Sequence, residues 1–62
     1  SFLAAEEMVE QLAADNLAVA KSAGQALKVA QEADDELTAD LMIGRMQVHE
    51  KNAWMLKSIL GK

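Results

Sequence analysis

The chain has 62 residues, a formal net charge of −4 and neither cysteine nor proline. Its length limits it to one small domain, and the lack of cysteine excludes a disulfide framework and a thiolate metal site. With no proline and only three glycines, it cannot supply the many turns of a β fold. Its abundant Ala, Leu, Met, Glu and Lys favour helices instead. Twelve of the apolar residues are alanine, which leaves few large side chains for a core. We therefore expect a piece of a larger protein or a member of an obligate assembly.

The charge pattern argues against several classes of partner. Ten acidic residues outnumber six scattered basic ones, which disfavours binding to a nucleic-acid backbone. No apolar run approaches the roughly 18 residues of a membrane span. The acidic start, SFLAAEEMVE, is unlike a targeting peptide. We expect a cytoplasmic protein without a membrane partner.

A first helix is predicted from about 2 to 32. Its apolar seam follows the alternating steps of four and three residues that are typical of a bundle helix. Asn16 is the one polar member, and we interpret it as a register-setting group rather than a ligand. Small residues around Gly24 allow another helix to approach closely. The predicted seam consists of Ala5, Val9, Leu12, Asn16, Val19, Ala23, Ala26 and Ala30.

A turn at about 33–35 separates this segment from a second helix predicted at about 36–60. If Asp35 is the N-cap, its carboxylate accepts the backbone N–H of Thr38. Gly61 fits the position that follows a helix, where a left-handed backbone is common. The seam of the second helix has the same alternating steps and consists of Met42, Met46, His49, Ala53, Leu56 and Leu60.

The short connection predicts a long antiparallel helical hairpin, so the fold class is all-α. Two helices have too little mutual surface to bury stripes this wide. Each helix should therefore leave an apolar face uncovered, which marks an interaction surface. We interpret residues 1–62 as a single partial domain, half of a four-helix bundle. The other half would come from further chain or from another copy.

His49 and Glu50 raise the question of a metal or acid–base site. A diiron bundle uses inward Glu-x-x-His pairs, but Met46 stands three residues before His49. An HExxH motif needs a second histidine where Ala53 stands. We therefore interpret His49 as a hydrogen-bonded core or interface residue, and we assign no catalytic residue.

The acidic cluster around the turn has two interpretations. Glu36 and Asp40 are four residues apart, so their carboxylates share a helix face and repel unless a cation or a cap relieves them. Hard cations prefer oxygen ligands of this kind. Considered alone, the residues favour a solvated, capped helix start over a cation site, and both remain open. The cluster comprises Asp34, Asp35, Glu36 and Asp40.

The stretch from 34 to 62 resembles the C-terminal helix of the Dps mini-ferritins, the DNA-binding proteins from starved cells. The matching elements are D-x-x-T-x-D-L at 35–41 and H-E-K-x-x-W-M-L at 49–56. The upstream segment is consistent with the preceding long helix of that family. The resemblance implies the last two helices of a ferritin-like four-helix bundle in a homo-oligomeric shell of twelve subunits. Such a shell oxidises ferrous iron, stores ferric mineral and protects against oxidative stress.

The resemblance also implies where iron would meet this segment. The family's ferroxidase ligands lie on the first two bundle helices, so the whole protein would be the ferroxidase and no catalytic residue transfers here. The start of the last helix lines an acidic three-fold pore through which iron enters. By position this implies Glu36 and Asp40 as transient iron ligands, with Gln31 where some members have a third acid. Some members bind DNA, which this segment does not support.

A second function stays open at this point. The chain would then be a self-associating helical hairpin with a purely structural or interaction role and no iron chemistry. The two functions differ in whether an N-terminal half with histidine and carboxylate ligands accompanies this segment.

Overall fold

The computed structural model describes residues 1–61 as two α-helices joined by a tight turn. Helix α1 spans Phe2–Glu32 and helix α2 spans Glu36–Ile59. They pack along their length as an elongated antiparallel hairpin of 49 × 14 × 14 Å. The predicted all-α hairpin is thus confirmed. Within the described residues, neither helix has an apolar stretch suited to crossing a bilayer.

The turn is formed by a backbone motif that closes the end of α1. Asp34 adopts a left-handed backbone, with φ of 55°. Its N–H donates to the carbonyl of Gln31 at 3.1 Å, and the N–H of Asp35 donates to that of Ala30 at 2.8 Å. These two bonds form a Schellman motif, which satisfies carbonyls that the helix itself leaves unpaired. An aspartate stands where glycine is usual, and Asp tolerates this conformation better than most residues.

Caps define both ends of α2. The Asp35 carboxylate accepts the backbone N–H of Thr38 at 3.1 Å, which confirms the N-cap predicted from the sequence. At the other end Leu60 is the C-cap, so the helix ends at Ile59, one residue before the expected boundary. Gly61 follows with φ of 75°, which confirms its predicted left-handed position.

The fully buried part of the contact between the helices is made of alanine. The buried apolar residues are Ala13, Ala20, Ala23 and Ala30 of α1 with Ala53 of α2. Alanine side chains allow the two backbones to approach closely, and that close approach keeps larger side chains off the contact line.

This contact corrects part of the seam predicted for α1. Five of its eight members are buried or half-buried as predicted: Val9, Asn16, Ala23, Ala26 and Ala30. Leu12 and Val19 were expected at the contact, but they are 49% and 45% exposed, and Ala5 is exposed as well. The stripe that faces α2 is rotated toward Ala13 and Ala20, because the close contact selects small residues. The predicted seam of α2 is confirmed: Ala53 is buried, and the other members are half-buried.

Six of the fourteen exposed large apolar side chains among the described residues form what we call the apolar face. Leu12 and Val19 are seven residues apart, as are Leu41, Val48 and Met55, so each set lies along one side of its helix. Ile59 continues the second set one turn later, and Leu12, Met55 and Ile59 line one groove. All six are at least 45% exposed. The uncovered apolar surface that the sequence predicts is therefore present, and it consists of Leu12, Val19, Leu41, Val48, Met55 and Ile59.

The left-handed residue of the turn gives a first prediction. Replacing Asp34 by Gly removes the contact between Cβ and the backbone at positive φ, so we expect stabilisation by about 0.5–1 kcal/mol. Urea unfolding followed by circular dichroism measures it. Asp34→Asn is the matched control, because it removes the same charge but keeps a Cβ. A glycine variant no more stable than the asparagine variant would contradict the strain argument.

Candidate functional site

The acidic turn contains a carboxylate that is used for structure. Besides accepting the Thr38 N–H, Asp35 accepts the Thr38 hydroxyl through Oδ2 at 2.6 Å. These two bonds favour the ionised form, so the side-chain and backbone donors of Thr38 hold the pKa of Asp35 below its usual 3.8. Asp34 in turn supplies the left-handed backbone of the turn. Half of the predicted acidic cluster therefore builds the hairpin.

The other half of the cluster has no such use. Glu36 is the first residue of α2, Asp40 follows one turn later, and both are exposed. Among residues 1–61, no hydrogen bond engages either carboxylate. Gln31 lies exposed near the end of α1, at the same end of the hairpin. The fold thus brings the two predicted pore residues and Gln31 to one end of the molecule and leaves them accessible to solvent.

A second polar group lies at the contact between the helices. The Asn16 Oδ1 atom is 2.9 Å from His49 Nδ1 and accepts a further hydrogen bond from Asn52 Nδ2 at 3.3 Å. Asn16 Nδ2 donates to the backbone carbonyl of Leu12 at 2.8 Å. That last bond fixes the amide orientation, so that the oxygen points toward α2. We call Asn16, His49 and Asn52 the polar cluster.

The polar cluster defines which nitrogen of the His49 ring carries the hydrogen in the contact with Asn16. Because Asn16 Oδ1 can only accept, the hydrogen of this contact is on His49 Nδ1. The other ring nitrogen, Nε2, is buried and has no hydrogen-bond partner within the described residues. An unpaired buried polar atom is costly, so the position favours a defined alignment of the two helices over maximal stability.

The structure supports the structural interpretation of His49 and Asn16. Each was expected to serve packing and register, and they prove to be each other's partners. Nowhere in residues 1–61 do three or more His, Cys, Asp or Glu side chains form a group suited to hold a metal ion. Sequence reasoning missed the direct pairing and the part played by Asn52. Two polar residues on facing seams of a hairpin were the available indication.

Comparison with known proteins gives a consistent family. The family model for the ferritin-like domain matches residues 1–62. The chain is 38% identical over 58 residues to "DNA protection during starvation protein 2" of Bacillus anthracis, a match that covers 94% of this chain and 40% of the relative. It is 37% identical over 57 residues to "General stress protein 20U" of Bacillus subtilis (strain 168), covering 92% and 39%. No solved structure gives a significant match.

The cap of α2 predicts how stability depends on pH. The pKa of Asp35 is lower in the folded chain than its usual 3.8, so its contribution is complete above that value and declines as pH falls through the folded pKa. We expect Asp35→Asn, which retains a capping side chain, to flatten this acid-side decline. Thermal unfolding from pH 6 to about pH 2.5 measures the difference. Superimposable pH profiles for the two proteins would contradict the assignment.

The polar cluster predicts a large effect of one truncation. Asn16→Ala leaves His49 Nδ1 without its partner beside the alanine contact, so we expect a loss of about 1–3 kcal/mol in the free energy of unfolding. Urea unfolding measures this loss. Gln11→Ala is the matched control, because its side chain bonds only the exposed Asp15 on the same helix and should change stability by less than about 0.5 kcal/mol. Equal effects of the two substitutions would show that the cluster adds nothing.

Proposed function

Because the chain belongs to the ferritin-like family, we propose that it supplies one helical hairpin of a four-helix bundle that takes up, oxidises and stores iron. The observation that carries this proposal is the match to the ferritin-like domain over residues 1–62. The relatives named for starvation and general stress support a protective role. The chain spans about 40% of the length of those relatives, which fits a contribution of one hairpin to the bundle.

The apolar face supports the bundle. Its six large side chains are exposed on one side of the hairpin, whereas the fully buried apolar residues among residues 1–61 are alanines. A second pair of helices laid on this face would convert the exposed stripes into a core. Burying apolar surface contributes about 25 cal/mol per Å². Covering the apolar face would therefore add stability that the alanine contact alone does not supply. The same face would serve a self-associating hairpin, but the family match favours the ferritin-like bundle.

Within this bundle, the hairpin's chemistry is concentrated at the turn. Glu36 and Asp40 place two carboxylates on one face of the first turns of α2. Around a three-fold axis of a twelve-subunit shell, three copies of this pair would form an acidic funnel. Such a funnel lowers the electrostatic energy of an entering Fe²⁺ and raises its local concentration. Gln31 adds a neutral side chain beside it, which makes the funnel less negative than a third acid would.

The proposal assigns neither the catalysis of iron oxidation nor DNA binding to this segment. The described residues hold no cluster of three metal-ligand side chains, so the oxidation of iron belongs to ligands on the covering helices. The proposal gives this segment no contact with DNA. Its net charge is −4, and its six basic residues are scattered along the sequence.

The pore proposal predicts slower iron uptake when the paired charges are removed. The test protein is a chimera in which residues 1–62 replace the matching segment of the Bacillus anthracis relative. Glu36→Gln with Asp40→Asn should slow Fe²⁺ uptake severalfold without changing the particle mass, because the funnel loses its negative potential. Stopped-flow absorbance of ferric product measures the rate.

The control variant removes two charges elsewhere. Glu6→Gln with Glu7→Gln lies at the start of α1, at the opposite end of the hairpin from the turn, and should leave the rate unchanged. An unchanged rate in the turn variant would disprove the pore while leaving the bundle intact. A chimeric particle that oxidises no iron would disprove the wider function.

A further inference from the structure

One charged residue lies on the side of α2 that carries the apolar face. Arg45, the single arginine of the chain, follows Leu41 by four residues and precedes Val48 by three. Residues with these spacings are neighbours on a helix surface. Arg45 also precedes Asn52, which lines the groove of the apolar face, by seven residues or about two turns. Helices that cover the apolar face would therefore cover Arg45 as well.

The spacing of Arg45 also places it toward the interior of the proposed bundle. It belongs to a line with alternating steps of three and four residues, which is the spacing of a bundle core. This line runs between the seam that packs on α1 and the apolar face. In a four-helix bundle, positions between two packed sides of a helix point toward the common core. Arg45 is the one charged member of this line, which consists of Met42, Arg45, His49, Asn52, Leu56 and Ile59.

The hairpin supplies no partner for this charge. Arg45 is exposed, and within residues 1–61 its side chain takes part in no hydrogen bond or ion pair. The polar cluster beside it carries no negative group, and Asn16 Oδ1 is already engaged by His49 and Asn52. In the open hairpin, water solvates the guanidinium. Covering helices would remove that water and leave the charge uncompensated.

The chemistry of the guanidinium defines what must replace the water. Arginine keeps its proton at any ordinary pH, so Arg45 cannot become neutral when it is covered. A covered charge is stable only when it is paired and hydrogen-bonded. The planar guanidinium matches a carboxylate, which accepts two parallel N–H donors from it. An aspartate or glutamate is therefore the side chain that fits this position.

That carboxylate has to come from outside the hairpin. Asp40 and Glu50 are each five residues from Arg45, so they are rotated by about 140° around α2 to other sides of the helix. On α1, Asp15 accepts a hydrogen bond from Gln11 at 2.8 Å. The matched segment covers 40% of the first relative, so more than half of that protein, including any helices that cover this face, lies outside the match.

We propose, building on the bundle assignment above, that Arg45 is the docking point for an acidic residue of a covering helix. The guanidinium forms a bidentate ion pair with that aspartate or glutamate inside the bundle. The apolar face supplies the area of the contact, and the ion pair fixes the position of the covering helix along α2.

The first experiment removes the charge of Arg45 in the chimera described above. Arg45→Met keeps a long apolar side chain but leaves the partner carboxylate covered and unpaired, so the ratio of folded to unfolded protein should fall about a hundredfold or more. Urea unfolding followed by circular dichroism measures the ratio. Lys51→Met is the matched control, because Lys51 is exposed, lies six residues on and is rotated by about 120° away from Arg45. It should change the ratio by no more than about twofold.

The second experiment identifies the partner and does not depend on how stable Arg45→Met is. In the Arg45→Met chimera, each acidic residue of the covering helices is replaced in turn by its amide. One replacement should restore the folded ratio at least tenfold, because it removes the unpaired charge, and it should destabilise the chimera that retains Arg45. Replacements at the other acidic positions should restore nothing.

The inference is overturned if Arg45→Met unfolds like Lys51→Met, or if no amide replacement restores the Arg45→Met chimera. A parent chimera that does not fold would overturn the ion pair together with the bundle. A folded chimera that shows the rescue but oxidises no iron would count against the proposed function alone.

Discussion

The close contact of two helices through alanine is the constraint on which the rest of this molecule depends. The five buried apolar side chains of the described residues are all alanines, and each removes little apolar surface from water. The close approach that they permit leaves the larger seam residues of α2 only half-buried, and most of the other large apolar side chains lie exposed. The geometry of the hairpin is therefore well defined, but its buried apolar core is small. Its large side chains are placed to stabilise contacts with other helices, which is what a half-bundle requires.

The polar cluster lies at the contact between α1 and α2, where it can fix the alignment of the two helices. A contact made of alanine tolerates sliding, since small side chains offer few steric features to fix the alignment of α1 against α2. The hydrogen bond between Asn16 and His49 joins residues 33 positions apart in the sequence and exists in one alignment only. The unpaired Nε2 of His49 is the energetic cost of that choice. Specific alignment matters for a hairpin whose outer faces must meet other helices in register.

Much of this architecture is present in the sequence, because local rules govern it. Helical periodicity and helix caps depend on residues close in the chain. The structure contains both predicted caps, the Asp35 N-cap of α2 and the left-handed Gly61 that follows it. The α1 seam was predicted correctly at Ala23 and Ala30 but wrongly at Leu12 and Val19, for a physical reason. Periodicity shows that an apolar stripe exists, but α1 is apolar over a wide arc, and the stripe containing Leu12 has the same spacing as the one containing Ala13. The two stripes are distinguished only by the preference of a close contact for small residues. That preference arises when the two helices pack together and cannot be read from α1 alone.

The acidic turn shows how structure divides a cluster that looks uniform in the sequence. Asp34 and Asp35 are committed to the backbone of the turn and to the cap of α2. Glu36 does benefit from the helix dipole at the first turn, but Asp40 lies beyond the reach of that effect and, four residues on, repels Glu36. Neither carboxylate takes part in a hydrogen bond among residues 1–61. Local stability thus explains the first pair and leaves the second pair as an unrelieved repulsion at the end of the hairpin. A passing cation relieves such a repulsion without needing the closed ligand set of a permanent metal site. This is why we propose Glu36 and Asp40 as transient ligands of a pore and not as a permanent metal site.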